Sequence, residues 1–567
     1  MARKRLFAII ALVVTLLSTL LHLPSLRGEL ITDDIVLVSD FERRGCGEDP
    51  VACFSNLIGH FYYRPMLPAT FAFGQKFHDN RPVWFHAENL AMHFLAILAA
   101  FYAFREVFRR RRTAIIAGTI LALHPVNVTI TSWIGGRTDT MALGFMALYA
   151  LGVMRLGRII RVARRQRDRG KPPIMRKSLI LWLSLSLLAL LAAVFTKEQS
   201  MGLVFLAPLM AMSVRGAVVS SRKQRFPIWT AVYVLPAAVF LLVVLNVMKE
   251  LNFDHAGWSV PLHIEMVGRT LAYYASEFFL PTVNDQHVST IGAWSAHLYA
   301  RAAIGYIVAV AWVTLIVRYW SIRRVRLLML WSSLCIGTVL NVIPIPNALA
   351  APFRTAVAMF GIAGLLAALL SCGEFIAISR QDRNPNIARL KLAGVAGLLI
   401  WYLSITAMDL PNWQNEWTYS QAEVRADPNF VCARASVGSG WYRRGNYTAA
   451  LAKFDECTDM LFGKESSPDE YVKMLRSPEM LPVMQSMSTL RYRPMQYIPQ
   501  VIRERGRTLQ ALGRYEDAIK NLRASLTVSP DDTDARTALA DCYDAIGKHD
   551  QAQSVRHMED VLQGKPL

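Results

Sequence analysis

Eleven stretches of the chain are apolar over close to the twenty residues that a helix needs to cross a bilayer. They are residues 6–23, 88–104, 113–131, 139–156, 178–195, 200–213, 227–248, 295–317, 327–345, 355–371 and 391–408. They predict about eleven membrane spans. Ala2-Arg3-Lys4-Arg5 ahead of the first run has the charge of a signal peptide, but no small-x-small cleavage site follows before Leu21-His22-Leu23-Pro24. The first run therefore predicts an uncleaved helix. From residue 411 onward the long apolar runs stop and shorter amphipathic helices are expected.

That second region is periodic. Gly513-Arg514-Tyr515-Glu516-Asp517-Ala518 recurs 34 residues later as Gly547-Lys548-His549-Asp550-Gln551-Ala552, and Gly445-Asn446-Tyr447-Thr448-Ala449-Ala450 precedes the first by 68. The period, the glycine at a tight inter-helix turn and the alanine at a close crossing resemble tetratricopeptide repeats. Pro478, Pro482, Pro494 and Pro499 predict a degenerate or interrupted unit around 465–495. The expected fold is all-α: a polytopic helix bundle over residues 1–410, then an α-solenoid over 411–567.

Composition supports this division. Of 567 residues, 53% are hydrophobic and 18% charged, which excludes a purely soluble or disordered chain. Residues 411–567 hold 20 Lys and Arg against 21 Asp and Glu, so the whole basic excess lies in residues 1–410. Its densest runs are Arg109–Arg112, Arg155–Lys177, Arg222–Arg225, Arg318–Arg326 and Arg380–Lys391, all on the Met1 side when eleven spans are threaded. They read as charges orienting membrane helices with the N-terminus cytoplasmic, not as a nucleic-acid footprint. The repeats are then expected outside. Short loops and Arg-rich insertions suit a bacterial inner membrane. Cys46 with Cys53 and Cys432 with Cys457 are candidate disulfides, the alternative being buried thiols.

Ionisable residues gather on the outer face, where the default reading is a site. They are Asp33-Asp34 after the first span, Arg64 beside Tyr63, His86, His124, Arg137 with Asp139, Lys197-Glu198 and Arg354. Each has a plain alternative, such as turn capping for the aspartates or snorkelling for the cations. Together, a carboxylate pair and several cations around one outer cavity suit a phosphate-bearing substrate activated by a base. His86 and His93 would share a helix face, so a divalent metal ion is the one candidate cofactor, with none certain. The stretch from His263 to Phe279 predicts an amphipathic helix along the outer surface.

Asp33-Asp34, Tyr63-Arg64-Pro65, His124-Pro125 followed by Gly136-Arg137-Thr138-Asp139, and Lys197-Glu198-Gln199 resemble the motifs of the transmembrane and tetratricopeptide-repeat O-mannosyltransferases. These belong to the C-type glycosyltransferase superfamily, and the domain order agrees over the whole chain. The resemblance implies an inverting transfer of a sugar, mannose first, from a polyprenyl-phosphate donor lipid to a hydroxyl of a protein or peptide held by the repeats. It implies Asp33, or Asp34, as the base. Arg64, Arg137, Lys197 and Arg354 would hold the donor phosphate. Tyr63, His86 and His124 would contact substrate, and Asp139 and Glu198 would orient Arg137 and Lys197. Competing readings are a related enzyme that glycosylates a lipid or cell-envelope glycan, and a non-enzymatic scaffold. A transporter would need charges deep within spans and paired half symmetry, which the sequence lacks.

Overall fold

The structure is a computed structural model that describes residues 2–32, 34, 37–38, 63–78, 81–108, 110–170, 176–213, 228–234, 238, 241–242, 260–283, 296–340, 350–371, 385–426, 428, 430–464, 466–476 and 494–562. All its elements there are helical. In the membrane part they are α1 (Ala2–Leu21), α2 (Met66–Gln75), α3 (Pro82–Val107), α4 (Arg111–Leu123), α5 (Val126–Ser132), α6 (Arg137–Arg167), α7 (Arg176–Thr196), α8 (Ala207–Met212), α9 (Val260–Phe279), α10 (Ala296–Arg318), α11 (Arg323–Gly337), α12 (Ala356–Leu370) and α13 (Pro385–Asp409). Among the described residues seven apolar stretches are long enough to cross a membrane, and α4 with α5, bent by 56°, makes up to an eighth where the bent pair counts as one broken span. The chain is a multi-pass membrane protein.

Two of the eleven expected spans differ, and a third is not described over most of its length. Residues 198–212 form a 3₁₀ turn (Glu198–Leu206) and the six-residue α8, since Gly202 and Pro208 interrupt a continuous helix. In the window 327–345, α11 ends at Gly337 after 15 residues. Most of 227–248 lies outside the described residues.

The bend between α4 and α5 has a local cause. Pro125 lacks an N–H, and the carbonyls of Leu121 and Ala122 accept from Asn127 Nδ2 at 2.8 and 3.0 Å. The bundle core closes on small residues and stacked rings, with Phe104 and Phe360 4.2 Å apart at their centroids. At the Met1 end Glu106, fully buried on α3, binds Arg155 at 2.7 Å and also Arg158, both on α6. As expected, 260–279 is one helix, α9, outside the set of spanning candidates.

After a 3₁₀ turn (Leu410–Trp413) the chain continues as α14 (Glu416–Ala426), α15 (Val431–Arg443), α16 (Tyr447–Phe462), α17 (Pro468–Arg476), α18 (Pro494–Ala511), α19 (Tyr515–Val528), α20 (Thr533–Ala545) and α21 (His549–Leu562). Gly445, Gly513 and Gly547 have φ of +74°, +75° and +75°. After each glycine the next N–H donates to the carbonyl five residues back: Asn446 to Trp441, Arg514 to Leu509, Lys548 to Tyr543. The 34-residue period is thus one turn used three times. Pro499 does not break the middle unit as expected; it lies inside α18, with its carbonyl accepting from Ser525 Oγ at 2.8 Å. Cys432 and Cys457 are thiols, not a disulfide; Cys46 and Cys53 fall outside the described residues.

Candidate functional site

The residues singled out in the sequence lie after α1, before α2, near the start of α3, at the end of α4, at the start of α6, just after α7 and in the turn before α12. Asp33 is outside the described residues. Asp34 is fully buried; its Oδ1 accepts from Gly135 N at 2.9 Å and its Oδ2 from Ile31 N at 3.3 Å. The loop after α1 is therefore pinned to the turn that starts α6.

Arg137, the first residue of α6, is also fully buried. Its guanidinium donates to Asn89 Oδ1 at 2.7 Å and to the Phe85 carbonyl at 3.0 Å, reaches Glu88 Oε2 at 2.8 Å, and lies 4.4 Å over the Phe71 ring. It clamps α2, α3 and α6 together. Asp139 is not its partner: residues two apart on a helix point to different sides. Asp139 instead pairs with Lys197 in a contact almost wholly removed from water. Burial lowers the Lys197 ammonium below its usual range, against the pull of Asp139.

Glu198, likewise, pairs with Arg64 rather than Lys197. Arg64 Nε donates to its Oε2 at 2.9 Å, and Nη2 contacts Oε1. The cost of desolvation pushes this carboxyl up, but the Arg64 charge outweighs it and holds it low. The pairs in the structure thus differ from those that sequence adjacency suggested.

The third residue of this turn joins the next element. Gln199 Nε2 donates to the carbonyl of Arg354 at 3.0 Å and of Cys335 at 3.2 Å. Arg354 is buried in the 3₁₀ turn Pro352–Thr355 before α12. Phe353 lies between the two cations, 5.3 Å from Lys197 Nζ and 5.9 Å from Arg354 Cζ. The structure therefore groups Arg64, Lys197 and Arg354 through one turn, while Arg137 is engaged in the clamp.

The remaining residues are placed as follows. Tyr63 is half-buried, its ring edge-on to Phe195 at 6.3 Å. His86 is buried against the backbone of Gly28, Glu29 and Thr131. His124, at the bend, accepts from Val126 N at 3.2 Å and meets Tyr402 edge-on at 4.7 Å. His93 does not join His86; its Nε2 is 3.1 Å from Ser18 Oγ and its ring 5.4 Å from that of His22. Among the described residues no three His, Cys, Asp or Glu gather to hold a metal.

Three residues on two helices, α9 and α14, went unread in the sequence. Tyr274 and Glu277 of α9 are buried, and Tyr274 meets Arg354 while the Glu277 backbone meets His124. The polar face of α9 was the available signal. Glu416, at the start of α14, accepts from Thr32 N at 3.0 Å and had no local signal at all.

Residues 509–555 match the tetratricopeptide repeat family. A stretch of the chain is also similar to the Protein O-mannosyl-transferase TMTC1 of Homo sapiens, 27% identical over 137 residues. The Mus musculus protein of the same name is 30% identical over 142 residues. The resemblance read from the motifs is borne out. These alignments cover 21% and 23% of this chain and 15% of each relative, so the chain matches only a small part of either.

Proposed function

We propose that this protein is a membrane glycosyltransferase that moves a sugar, mannose first, from a polyprenyl-phosphate donor to a hydroxyl of a protein on the outer face. The observation that carries the reading is the joining of the Asp33-Asp34 loop to the cation group. Asp34 ties that loop to Gly135, four residues before Asp139, whose partner is Lys197.

In this reading Asp33 takes the acceptor hydroxyl's proton as the oxygen attacks the anomeric carbon from the face opposite the phosphate, inverting configuration. A phosphate leaving group needs no protonating acid, so one carboxylate suffices. Asp34, with both oxygens on backbone amides, orients the loop. Lys197, Arg354 and Arg64 stabilise the charge growing on the departing phosphate. Arg137 acts by holding α2, α3 and α6, not by touching phosphate. The repeats hold the acceptor protein on the outer, periplasmic side of a bacterial inner membrane.

The test is transfer of labelled mannose from polyprenyl-phosphate-mannose in membranes holding wild type, Asp33→Asn or Asp34→Asn, with products separated into protein and lipid fractions. Asp33→Asn is expected to lose about 10²–10⁴-fold in rate. Asp34→Asn, which keeps one acceptor oxygen, loses less. Label in lipid or glycan instead of protein replaces the acceptor class. No transfer from any donor, with secreted protein still captured, leaves a scaffold.

A further inference from the structure

Thr32 is the one non-glycine residue with positive φ, +52°, among the described residues. A β-branched side chain is costly in that region, and such a conformation persists only where neighbours enforce it. The neighbour here is 384 residues away. Thr32 N donates to Glu416 Oε2 at 3.0 Å. Glu416 opens α14, the first helix after the membrane part, and its Oε1 lies 3.4 Å from Ser420 Oγ.

The same seam is fastened at further points before Thr32. Glu29 N donates to the Gln414 carbonyl at 2.9 Å, and Gln414 Nε2 to the Pro24 carbonyl at 3.3 Å. Ile31 is buried among Val128, Leu410, Trp413 and Tyr419. Asp33 thus lies between two anchors: Thr32 on Glu416, and Asp34 on Gly135.

We infer that Glu416 is a positioning residue: its carboxylate holds Thr32 in the left-handed conformation and so fixes the backbone that leads into position 33. The chemical part of this inference rests on the reading in the preceding subsection; the conformational part does not. Glutamine keeps an acceptor oxygen at the same reach, whereas alanine keeps none. Glycine at 32 adopts positive φ without strain.

The experiment uses the full chain in membranes, with Glu416→Ala, Glu416→Gln, Thr32→Gly and the double variant Thr32→Gly/Glu416→Ala. Glu416→Ala is expected to lower kcat on the order of 10²-fold, as a small misplacement of a reacting group does, with donor KM unchanged. Glu416→Gln restores most of that loss, and Glu416→Ala costs less in the Thr32→Gly background than in wild type. Hydrogen exchange of residues 28–34 gives a second readout: faster at Thr32 in Glu416→Ala, wild-type in Glu416→Gln. Wild-type kcat in Glu416→Ala, equal loss in alanine and glutamine variants, or unchanged exchange would overturn the inference. If wild type transfers no sugar, the functional reading fails, and the exchange arm still decides the role of Glu416.

Discussion

Lys197 and Asp139 carry opposite charges that are nearly closed to water. Removing one partner of such a pair strands the other, at about 3–5 kcal/mol, while removing both together costs much less. Lys197→Met should therefore lower thermal stability in detergent well below that of the Lys197→Met/Asp139→Asn double variant. Additive single losses would show that the two charges are not coupled. The thiol of Cys457 gives a second check at this scale. Burial pushes it up to about 12, so alkylation near neutral pH should be slow until the repeats unfold. Neither partnership could be read locally. Glu88 lies 49 positions before Arg137, and adjacency made Asp139 the nearer candidate, although helix geometry turns it away.

At the level of elements, the sequence was informative wherever one physical constraint repeats. Glycines 34 apart revealed the repeats because each turn needs φ near +75°. At Gly513 and Gly547 a Cβ would meet no atom within 4 Å beyond the flanking residues, so an alanine there would meet strain but no clash. Gly513→Ala should destabilise the repeats by about 1–2 kcal/mol, read as faster exchange over α18 and α19, with Gly513→Asn milder. Pairs at the helix surfaces add a pH dependence. The Asp517 carboxyl is held low by its hydrogen bonds from Arg514, and Asp544 by His549 and Arg556. Carboxylates lowered in the folded state contribute stability that is present above their unfolded pKa and is lost as pH falls through the folded one. Exchange protection over residues 515–549 should thus decline below about pH 4, and an optimum at lower pH would contradict these pairs. Hydropathy was a weaker guide where apolar composition lacked helical continuity, as at Gly202 and Pro208.

For the whole molecule, the pattern of apolar runs gave the membrane bundle and the period gave the solenoid. What joins them was invisible, because a hydrogen bond spanning 384 residues leaves no trace in local spacing. Under the proposed transfer reaction, this seam predicts that a chain ending before Pro411 inserts normally yet transfers sugar at a rate far below the full chain, even to small peptide acceptors that do not need the repeats. Full activity on such peptides would confine the C-terminal part to acceptor capture.

The seam also bears on biosynthesis. The loop that carries Asp33 leaves the ribosome before Glu416, which follows only after α13, the last span among the described residues, so while the bundle between them is being made the loop lacks its distant anchor. Under the proposed reaction, competence would then arrive only once α14 has been made, which would protect the growing chain and its neighbours from premature glycosylation.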